Sequence, residues 1–277
     1  MTRAQDLIIA TWNINSVRLR IDQVLAFLEA YQPHVLTLQE IRCVNDAFPA
    51  QVFRRAGYAH MAVRGQKSHH GVAIVSRLPL KNIRHRTFCG VDEARHVCAV
   101  IADADIEVHS LYVPAGGDVP DPAVNPKFAH KLAFLRDMRA WLSAPEGHDG
   151  RRMVLTGDFN VAPEACDVWD TKKLARVVTH TPVERAALKD ILACSGMVDV
   201  VRARFAPPRP VFTWWSYRAG ADWQHFNRGR RLDHVWASPA LARYLADASI
   251  ATETRAWPRP SDHVPVLARF SGIFSGI

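Results

Sequence analysis

Polar motifs follow or flank apolar runs at widely separated places in this chain. Four of the runs predict buried strands: Leu7–Trp12, Val35–Leu38, Ile106–Leu111 and Met153–Thr156. The polar motifs are Asn13-Ile14-Asn15, Leu38-Gln39-Glu40, Tyr112, Gly157-Asp158-Phe159-Asn160, Leu232-Asp233 and Ser261-Asp262-His263. Polar groups at strand ends are how a sheet protein assembles one site from distant segments. Carboxylates, amides, a phenol and a histidine together suit metal-assisted hydrolysis of a phosphodiester.

Asp262 and His263 form the sharpest local signal, directly before a predicted strand. Asp233 is a second acid that could accept a hydrogen bond from His263 and fix its tautomer. Such a histidine would be held cationic beside charge that develops on a phosphate. The plainer alternative is a capping aspartate beside a chance histidine.

Asp158 and Asn160 follow a predicted strand and lie two residues apart, so both side chains face one side. The carboxylate can orient or deprotonate water, and the amide can donate to a phosphate oxygen. A Gly-Asp turn at a strand end is the alternative reading of the same residues.

Glu40 is a candidate magnesium ligand at the end of its strand. Mg²⁺ prefers oxygen ligands and takes only one or two protein carboxylates. Asn13 and Asn15 offer the same paired presentation after the first strand. A surface glutamate and two turn asparagines would have the same sequence.

Aromatic and basic residues alternate in Phe212–Arg218 and Asn227–Arg231. This pattern suits stacking on sugar or base beside backbone phosphates. His70 and Arg95 could add phosphate contacts. Core packing explains some of the rings equally well, and a solvated surface explains the last two residues.

The elements that must position these groups are strands with helices between them. Helical spacing of apolar residues predicts helices at Ile21–Tyr31, around Phe128–Met138 and at Arg185–Cys194. Further strands are predicted at Val72–Ser76, Val97–Ile101, Ile106–Tyr112, Val211–Trp215, His234–Ala237 and Val264–Phe270. No linker divides the chain, so we expect residues 1–277 to form one α/β domain with two sheets packed face to face and helices outside.

The composition narrows the possible partners. The 277 residues are 48% apolar and carry a formal net charge of +8, which fits an anionic partner such as nucleic acid. Five widely spaced cysteines without a Cys-x-x-Cys pair predict buried free thiols in a reducing compartment. Neither a signal peptide nor a run of roughly 18 apolar residues is visible, so we expect a soluble cytoplasmic protein.

Taken together, the motifs resemble those of exonuclease III-type apurinic/apyrimidinic (AP) endonucleases of the exonuclease–endonuclease–phosphatase superfamily. The resemblance runs from Thr11–Asn15 to Pro260–Val266, and its most discriminating part is Trp215–Arg218 followed by Asn227–Asp233. It implies a four-layer α/β sandwich of two mixed sheets flanked by helices. It also implies Mg²⁺ or Mn²⁺ bound by Glu40, with Asn13, Asn15 or Asp262 nearby.

The same resemblance implies the roles of the remaining residues. Asp158 would activate the attacking water, Asn160 and Tyr112 would hold the phosphate, and Asp233 would orient His263. Substrate binding would fall to His70, Arg95, Gly117, Trp214, Tyr217, Arg218, Asn227, Arg230 and Leu232. The implied activity is cleavage of duplex DNA 5′ to abasic sites and removal of nucleotides or blocking groups from 3′ ends, by a monomer associated with the nucleoid.

Three positions depart from the family pattern. Ala115 stands where the family usually has Asn or Gln, so one phosphate contact is lost or supplied elsewhere. Arg230 stands among the three apolar or aromatic residues that normally wall the abasic-sugar pocket, with Trp214 and Leu232. Asn15 stands where some relatives have Asp. Gly117, by contrast, leaves room for duplex beside the site and favours internal cleavage.

Two other functions remain open from the sequence. One is a superfamily enzyme acting on RNA or small phosphoesters, against which the Trp215–Arg218 and Asn227–Asp233 segments argue. The other is a DNA-binding protein without catalysis, against which the complete set of acidic residues and His263 argues.

Overall fold

The computed structural model of the chain describes residues 5–144 and 150–274. The strands are β1 Gln5–Asn13, β2 Val35–Gln39, β3 His60–Arg64, β4 Val72–Ser76, β5 Leu80–Arg84, β6 His96–Ile101, β7 Ile106–Tyr112, β8 Arg152–Asp158, β9 Val198–Asp199, β10 Asp233–Ala237, β11 Leu245–Ile250 and β12 Val266–Phe274. The helices are α1 Ile21–Tyr31, α2 Ala50–Arg55, α3 Pro126–Ser143, α4 Thr171–Leu174, α5 Pro182–Ser195, α6 Val200–Arg204, α7 Trp223–Phe226 and α8 Pro239–Ala242. Short 3-10 turns occur at Asn45–Ala47, Ala165–Asp167, Tyr217–Asp222 and Thr252–Ala256.

The strands form two six-stranded mixed sheets. The first has the order β11-β12-β1-β2-β4-β3 and the second the order β5-β6-β7-β8-β10-β9. Each contains one parallel pair, β1 with β2 and β7 with β8. The chain crosses between the members of these pairs through α1 and through α3, because parallel strands need a crossover connection. The carboxyl ends of both pairs therefore lie at one edge of the molecule, where Asn13 contacts Asp158 and Tyr112 contacts Glu40.

Alternation along the central strands builds the layers. Leu7 and Ile9 of β1 belong to the core between the sheets, whereas Trp12 packs on the helix side with Phe27 of α1. On β8, Leu155 packs outward toward α3 and α5. The order of layers is helix, sheet, sheet, helix, which confirms the predicted four-layer α/β sandwich.

The boundaries of the long helices follow from their caps. α5 begins with a reciprocal cap in which Glu184 accepts from the Thr181 backbone N–H at 3.1 Å and Thr181 accepts from the Glu184 N–H. Pro182 occupies the first turn, where its missing N–H costs nothing. The helix therefore starts before the predicted Arg185. α3 likewise extends beyond the predicted range and starts at Pro126, after an Asn125 side chain that accepts from the Lys127 N–H.

The predicted strand at Val211–Trp215 and the predicted burial of all five free cysteines were wrong. Val211–Trp215 is not a strand: only Trp214 forms bridges, with Arg230 and His263. The neighbouring rings pack on one another instead, as Trp215 does on Trp223. Cys43 and Cys98 are buried, but Cys89 and Cys166 are partly exposed and Cys194 is exposed on α5.

No helix in residues 5–144 and 150–274 is long and apolar enough to cross a membrane.

The outer face of the second sheet contains a buried histidine pair, His96 and His109. His96 Nδ1 accepts from the Arg86 N–H at 2.9 Å, so its proton lies on Nε2, which is 2.9 Å from His109 Nδ1. His109 Nε2 lies 2.8 Å from a carboxylate oxygen of Glu107. With Cys98 these rings make a group that could hold a metal, but hydrogen bonds already use both ring nitrogens of His96 and Nδ1 of His109. Burial lowers the pKa of both histidines, which keeps the pair neutral.

This pair should make stability depend on pH. The unfolded chain protonates these histidines below about pH 6.5, whereas the folded chain keeps them neutral. The free energy of unfolding should therefore fall as the pH decreases below 6.5, by up to about 1.4 kcal/mol per pH unit for each histidine. His96→Asn removes one contribution, so chemical denaturation between pH 7 and pH 5 should show a shallower decline than in the wild type. His225→Asn, at an exposed position, should keep the wild-type slope, and equal slopes for all three proteins would contradict the argument.

Candidate active site

Strand register brings the predicted polar motifs to one edge of the sandwich. Asn13 at the end of β1 lies opposite Gln39 at the end of β2. In the second sheet, Asp158 at the end of β8 lies opposite Tyr112 of β7 on one side and Asp233 of β10 on the other. The motifs are distant in sequence, but their side chains share one small volume.

Gly157 permits this close approach. A Cβ atom there would lie 1.9 Å from the carbonyl oxygen of Leu111, and the φ angle is +142°. Any other residue would push β8 away from β7 and separate Asp158 from Tyr112.

His263 lies between two carboxylates. Its Nδ1 is 2.8 Å from Oδ2 of Asp233, and its Nε2 is 3.7 Å from Oδ2 of Asp158. Burial alone would lower the pKa of His263, but the charges of Asp233 and Asp158 outweigh burial and raise the pKa to about 10. The imidazole is therefore a cation at neutral pH and can donate from both ring nitrogens. The structure brings Asp233, His263 and Asp158 together as the sequence predicts.

Asp158 is almost fully buried and accepts several hydrogen bonds. The Asn13 side chain donates to Oδ2 at 2.9 Å, and Asn160 donates from its backbone at 2.9 Å and from its side chain at 3.1 Å. Burial, with the nearby charges of Asp233 and Glu40, raises the pKa of Asp158 to about 7, although His263 opposes the shift. A carboxyl group with a pKa near neutrality is suited to accept a proton from water.

Glu40 connects the first sheet to Tyr112. Its Oε1 accepts from the Asn13 side chain and from the Tyr112 hydroxyl, each at 2.9 Å. Its other oxygen pairs with Arg42, whose Nε lies 3.0 Å away. Burial disfavours the charge, but the hydrogen bond from Asn13 and the charge of Arg42 outweigh it and lower the pKa of Glu40. Burial, Glu40 and Asp158 raise the pKa of Tyr112 well above its usual value, so the phenol stays protonated.

Asp262 lies next to Asn15, on the side of the site away from Glu40. Asn15 donates to Oδ1 at 3.1 Å, and the Trp214 indole N–H donates to Oδ2 at 2.9 Å. Burial opposes ionisation here too, but the charge of His263 and these two donors lower the pKa of Asp262. Asn15 in turn donates its backbone N–H to Asn13, which links the Asp262 side of the site to the Glu40 side.

The donor chemistry of this group fits a divalent cation. Glu40, Asp262, Asn13 and Asn15 offer only carboxylate and amide oxygens, which hard cations such as Mg²⁺ and Mn²⁺ prefer. Asp158, Asp233 and His263 form another group that could hold a metal. A cationic imidazole has no lone pair to give, however, so the Glu40 side is the better match.

The predicted pocket residues lie beside Asp262. The Arg230 guanidinium carbon is 5.1 Å from the centroid of the Trp214 ring. Arg230 also donates to the Val178 carbonyl at 3.2 Å and to the Thr179 hydroxyl at 2.8 Å. Leu232 is buried next to them. The Arg230 guanidinium therefore lies over the Trp214 ring within cation–π distance.

Tyr217, Asn227 and Arg218 lie farther along the same surface. The Tyr217 hydroxyl accepts from Arg20 at 2.8 Å. Asn227 ends α7 in the left-handed conformation and accepts from the Trp215 indole N–H at 3.0 Å. Arg218 is exposed. Contact of these three residues with substrate stays a prediction.

His70 and Arg95 pack behind Tyr112. Arg95 is buried, pairs with Glu93, and places its guanidinium carbon 5.0 Å from the centroid of the Tyr112 ring. His70 Nε2 lies 3.3 Å from Arg95. Burial and the charge of Arg95 lower the pKa of His70 to about 4. Both residues therefore support Tyr112, and their contact with phosphate stays a prediction.

Gly117 lies on the loop after Tyr112 with a φ angle of +70°. A Cβ atom there would lie 3.1 Å from the side chain of Asn125. Asn125 itself donates to the Gly116 carbonyl at 2.9 Å. That the absence of a side chain at position 117 leaves room for duplex beside the site stays a prediction.

Sequence reasoning missed Arg42 and Arg20. The only available signal for Arg42 was a basic residue two positions after Glu40. Arg20, in the connection before α1, donates to the Ile14 carbonyl at 3.4 Å and to Tyr217. Its importance depends on tertiary contacts that no local motif encodes.

The profile of the Endonuclease/Exonuclease/phosphatase family matches residues 10–263. The chain belongs to this family. Within it, exodeoxyribonuclease III from Haemophilus influenzae is 34% identical over 273 residues, covering 94% of this chain and 98% of that protein. The family therefore includes the exonuclease III-type enzymes that the motifs resemble.

Solved structures of family members extend the similarity to the whole fold. An AP endonuclease from Archaeoglobus fulgidus is 34% identical with a TM-score of 0.87, covering 95% of this chain and 99% of that one. The 3′ phosphatase NExo from Neisseria, solved with a product DNA hairpin, is 33% identical with a TM-score of 0.86, covering 96% and 99%. These family members share both the chain length and the layer order of this protein.

The Asp233 contact generates a direct prediction about His263. Asp233→Asn removes the charge that most raises the pKa of His263, so this pKa should fall by at least about one unit. An NMR titration of the histidine ring in metal-free protein measures it. Asp92→Asn, on an exposed side chain, should leave the His263 titration unchanged. An unaltered pKa in Asp233→Asn would show that this pair does not set the charge of the ring.

Proposed function

We propose that this protein is a divalent-metal-dependent phosphodiesterase of DNA repair. It cleaves duplex DNA on the 5′ side of abasic sites, leaving a 3′-hydroxyl, and removes nucleotides or blocking groups from 3′ ends. Base excision repair is the pathway in which these two activities are needed. The membership of the chain in a nuclease family, and the named activities of its relatives, support this function.

The observation that carries the proposal is the buried imidazolium of His263 between two carboxylates. His263 lies between Asp233 and Asp158, and Glu40 lies across Asn13 from Asp158. One side of the site thus offers a cationic donor and the other offers oxygen ligands. A phosphodiester carries a negative charge that increases during attack, so such an arrangement stabilises the transition state more than the ground state.

The reaction follows from the positions of these side chains. Ionised Asp158 orients a water molecule and accepts its proton as the water oxygen attacks phosphorus in line. The bond from phosphorus to the upstream 3′ oxygen breaks, and that oxygen leaves with a proton from solvent. Cationic His263 donates to a non-bridging oxygen, while Asn160 and Tyr112 hold the phosphate. Positioning of this kind supplies much of the rate enhancement.

The chemistry that a divalent ion, Mg²⁺ or Mn²⁺, would supply is neutralisation of phosphate charge. Glu40 would hold the ion, with Asn13, Asn15 or Asp262 nearby. The family is one of divalent-metal-dependent nucleases, and the carboxylate and amide oxygens of Glu40, Asp262, Asn13 and Asn15 support a site on this side.

Recognition of damage would depend on extrusion of a nucleotide. Extrusion costs least where the base is already missing, so selectivity needs no readout of base identity. Trp214, Leu232 and Arg230 would receive the extruded sugar, and Tyr217, Arg218 and Asn227 would contact the backbone. We propose further that the protein acts as a single-domain monomer in the cytoplasm, at the nucleoid. The net charge of +8 supports binding to duplex DNA.

The function is tested on one labelled duplex with and without a single internal abasic site, in Mg²⁺ or EDTA. We expect metal-dependent nicking at the lesion with a 3′-hydroxyl product. Asp158→Asn and His263→Ala should each lower kcat by about 10²- to 10⁴-fold while duplex binding is largely kept, because they remove proton transfer and charge stabilisation. Asp247→Asn, on the distant edge strand β11, is the control and should be fully active.

Other outcomes identify other functions. Shortening from 3′ ends without an internal nick would leave only the exonuclease and end-cleaning part of the proposal. No cleavage of either duplex would overturn the proposal and direct the search to RNA and small phosphoesters. Tight duplex binding without turnover would indicate a binding protein.

Arg230 should reduce selectivity for the abasic sugar. Its guanidinium can donate several hydrogen bonds to polar groups of an intact nucleotide, whereas an indole at this position offers a largely apolar wall with a single N–H donor. Arg230→Trp should therefore raise the ratio of abasic-site nicking to removal of an undamaged 3′ nucleotide, by about tenfold if one hydrogen bond to a charged group is lost. Kinetics on the two substrates in parallel measure the ratio. Arg228→Trp is the control, and an unchanged ratio in Arg230→Trp would show that residue 230 does not face the substrate.

A further inference from the structure

Lys131 is a fully buried lysine on α3. Its ammonium group lies 2.5 Å from Oε1 of Glu184, and it donates to the carbonyl oxygens of Asn160 at 2.7 Å and Ala115 at 3.3 Å. An ammonium has three donors, and these three acceptors use all of them. They come from the cap of α5, the loop after β8 and the loop after β7.

Glu184 is equally buried and fixes a further segment. Besides Lys131, it accepts the backbone N–H of Thr179 at 2.9 Å and that of Thr181 at 3.1 Å. Thr179 accepts in turn from Arg230 at 2.8 Å. The cap of α5 thereby links the ammonium to the pocket beside Trp214.

Asn160 has a conformation that needs this support. Its φ angle is +52°, in the left-handed region. Its backbone N–H donates to Asp158 at 2.9 Å and its side chain to the Val113 carbonyl at 2.9 Å. Its own carbonyl is then directed away from the site, into the interior, where Lys131 is its partner. Without the ammonium, a buried carbonyl would lack a hydrogen bond in a strained turn.

Gly116 shows that the loop after β7 is built around the same lysine. Its φ angle is +91°, and a Cβ atom there would lie 2.8 Å from Cδ of Lys131. The loop that contains Ala115, Gly116 and Gly117 therefore packs directly on the lysine side chain. This is the loop that borders the site beyond Tyr112.

Stability alone does not account for a buried ion pair at this place. Desolvation of two charges costs about as much as their attraction returns, and an apolar pair of similar size is often as stable. The specific feature of Lys131 is where its other two donors are directed, toward backbone carbonyls of two loops at the site.

We infer that Lys131 and Glu184 are a positioning pair for the reaction, which set Asn160 and the Ala115–Gly117 loop in the geometry that holds the phosphate. The inference rests on the proposed role of Asn160. Because neither residue touches substrate, losing the pair should lower kcat and leave KM little changed. A misplacement of about 1 Å at a reacting group can cost about 100-fold in rate.

The test is the double variant Lys131→Met/Glu184→Gln. Methionine has nearly the length of lysine without its charge, and glutamine keeps an acceptor oxygen for Thr179 and Thr181, so no buried charge is left alone. The control is Leu135→Ala, on the same helix and buried in the core against the second sheet, which destabilises the fold while leaving both buried charges in place. Measurements are Tm, kcat and KM on the abasic duplex.

We expect the double variant to fold, with a Tm no lower than that of Leu135→Ala, a kcat reduced by about 100-fold and a KM within about threefold of wild type. The single variant Lys131→Arg, which keeps both charges, should have a kcat between those of the double variant and the wild type. Wild-type kcat in the double variant, or an equal loss of kcat in Leu135→Ala, would overturn the inference. An inactive wild type on every DNA substrate would instead overturn the proposed function, so the two failures are distinguishable.

If the double variant does not fold, circular dichroism shows it at once, and Lys131→Arg alone takes its place. That substitution keeps both buried charges paired, but a planar guanidinium cannot reproduce the three donor directions of the ammonium. It should give a smaller fall in kcat with KM unchanged, and a wild-type kcat would again contradict the inference.

Discussion

The concentration of buried negative charge at one sheet edge is the constraint on which the rest of this structure depends. Glu40, Asp158, Asp233 and Asp262 share a small volume that is largely screened from water. Carboxylates in such a place need hydrogen-bond donors and cations. The fold supplies them from separate elements: the asparagines after β1, the phenol after β7, the indole of Trp214, and the imidazolium before β12. Each of these donor side chains is also a group that could bind a phosphate or a cation. The hydrogen bonds that stabilise the buried acids therefore also assemble the site.

The two parallel strand pairs are the means by which the fold meets this requirement. A parallel pair ends both its strands at one edge, and packing two such pairs face to face puts four strand ends together. The pKa of each acid then depends on which donors reach it. Asp158, deep between the sheets, has its pKa raised by burial, whereas donors and charges lower the pKa of Glu40 and Asp262 despite burial. One edge thus contains a carboxyl group whose pKa is raised to about 7 and two carboxylates whose pKa is lowered.

The sequence predicted the central strands of the two sheets better than their edge strands. The strands it missed are β3, β5, β9 and β11, and these are the four edge strands of the two sheets. Edge strands bury little, as β5 shows with four exposed residues out of five, so their apolar pattern is weak. The strand expected at Val211–Trp215 failed for a different reason, since its apolar residues are divided between two clusters: Val211 packs in the core between the sheets, and Trp215 packs with Trp223 and Val264. The polar motifs were predictable because strand ends mark them. Arg20, Arg42 and Lys131 were not, because a basic residue on a helix or loop has no pattern that shows which carbonyl or carboxylate it meets.

The pairing of β1 with β12 determines when the domain can finish folding. β12 lies between β11 and β1, and it closes the first sheet with residues from the two ends of the domain. Near that seam the Trp12 indole donates to the His263 carbonyl at 3.0 Å, and Ser261 donates to the Asn13 carbonyl at 2.7 Å. Contacts of such long sequence separation form late and slow folding. A ribosome-bound chain therefore carries Glu40, Asp158 and Asp233 before it carries Asp262 and the His263 imidazolium, and the site becomes complete only when β12 docks.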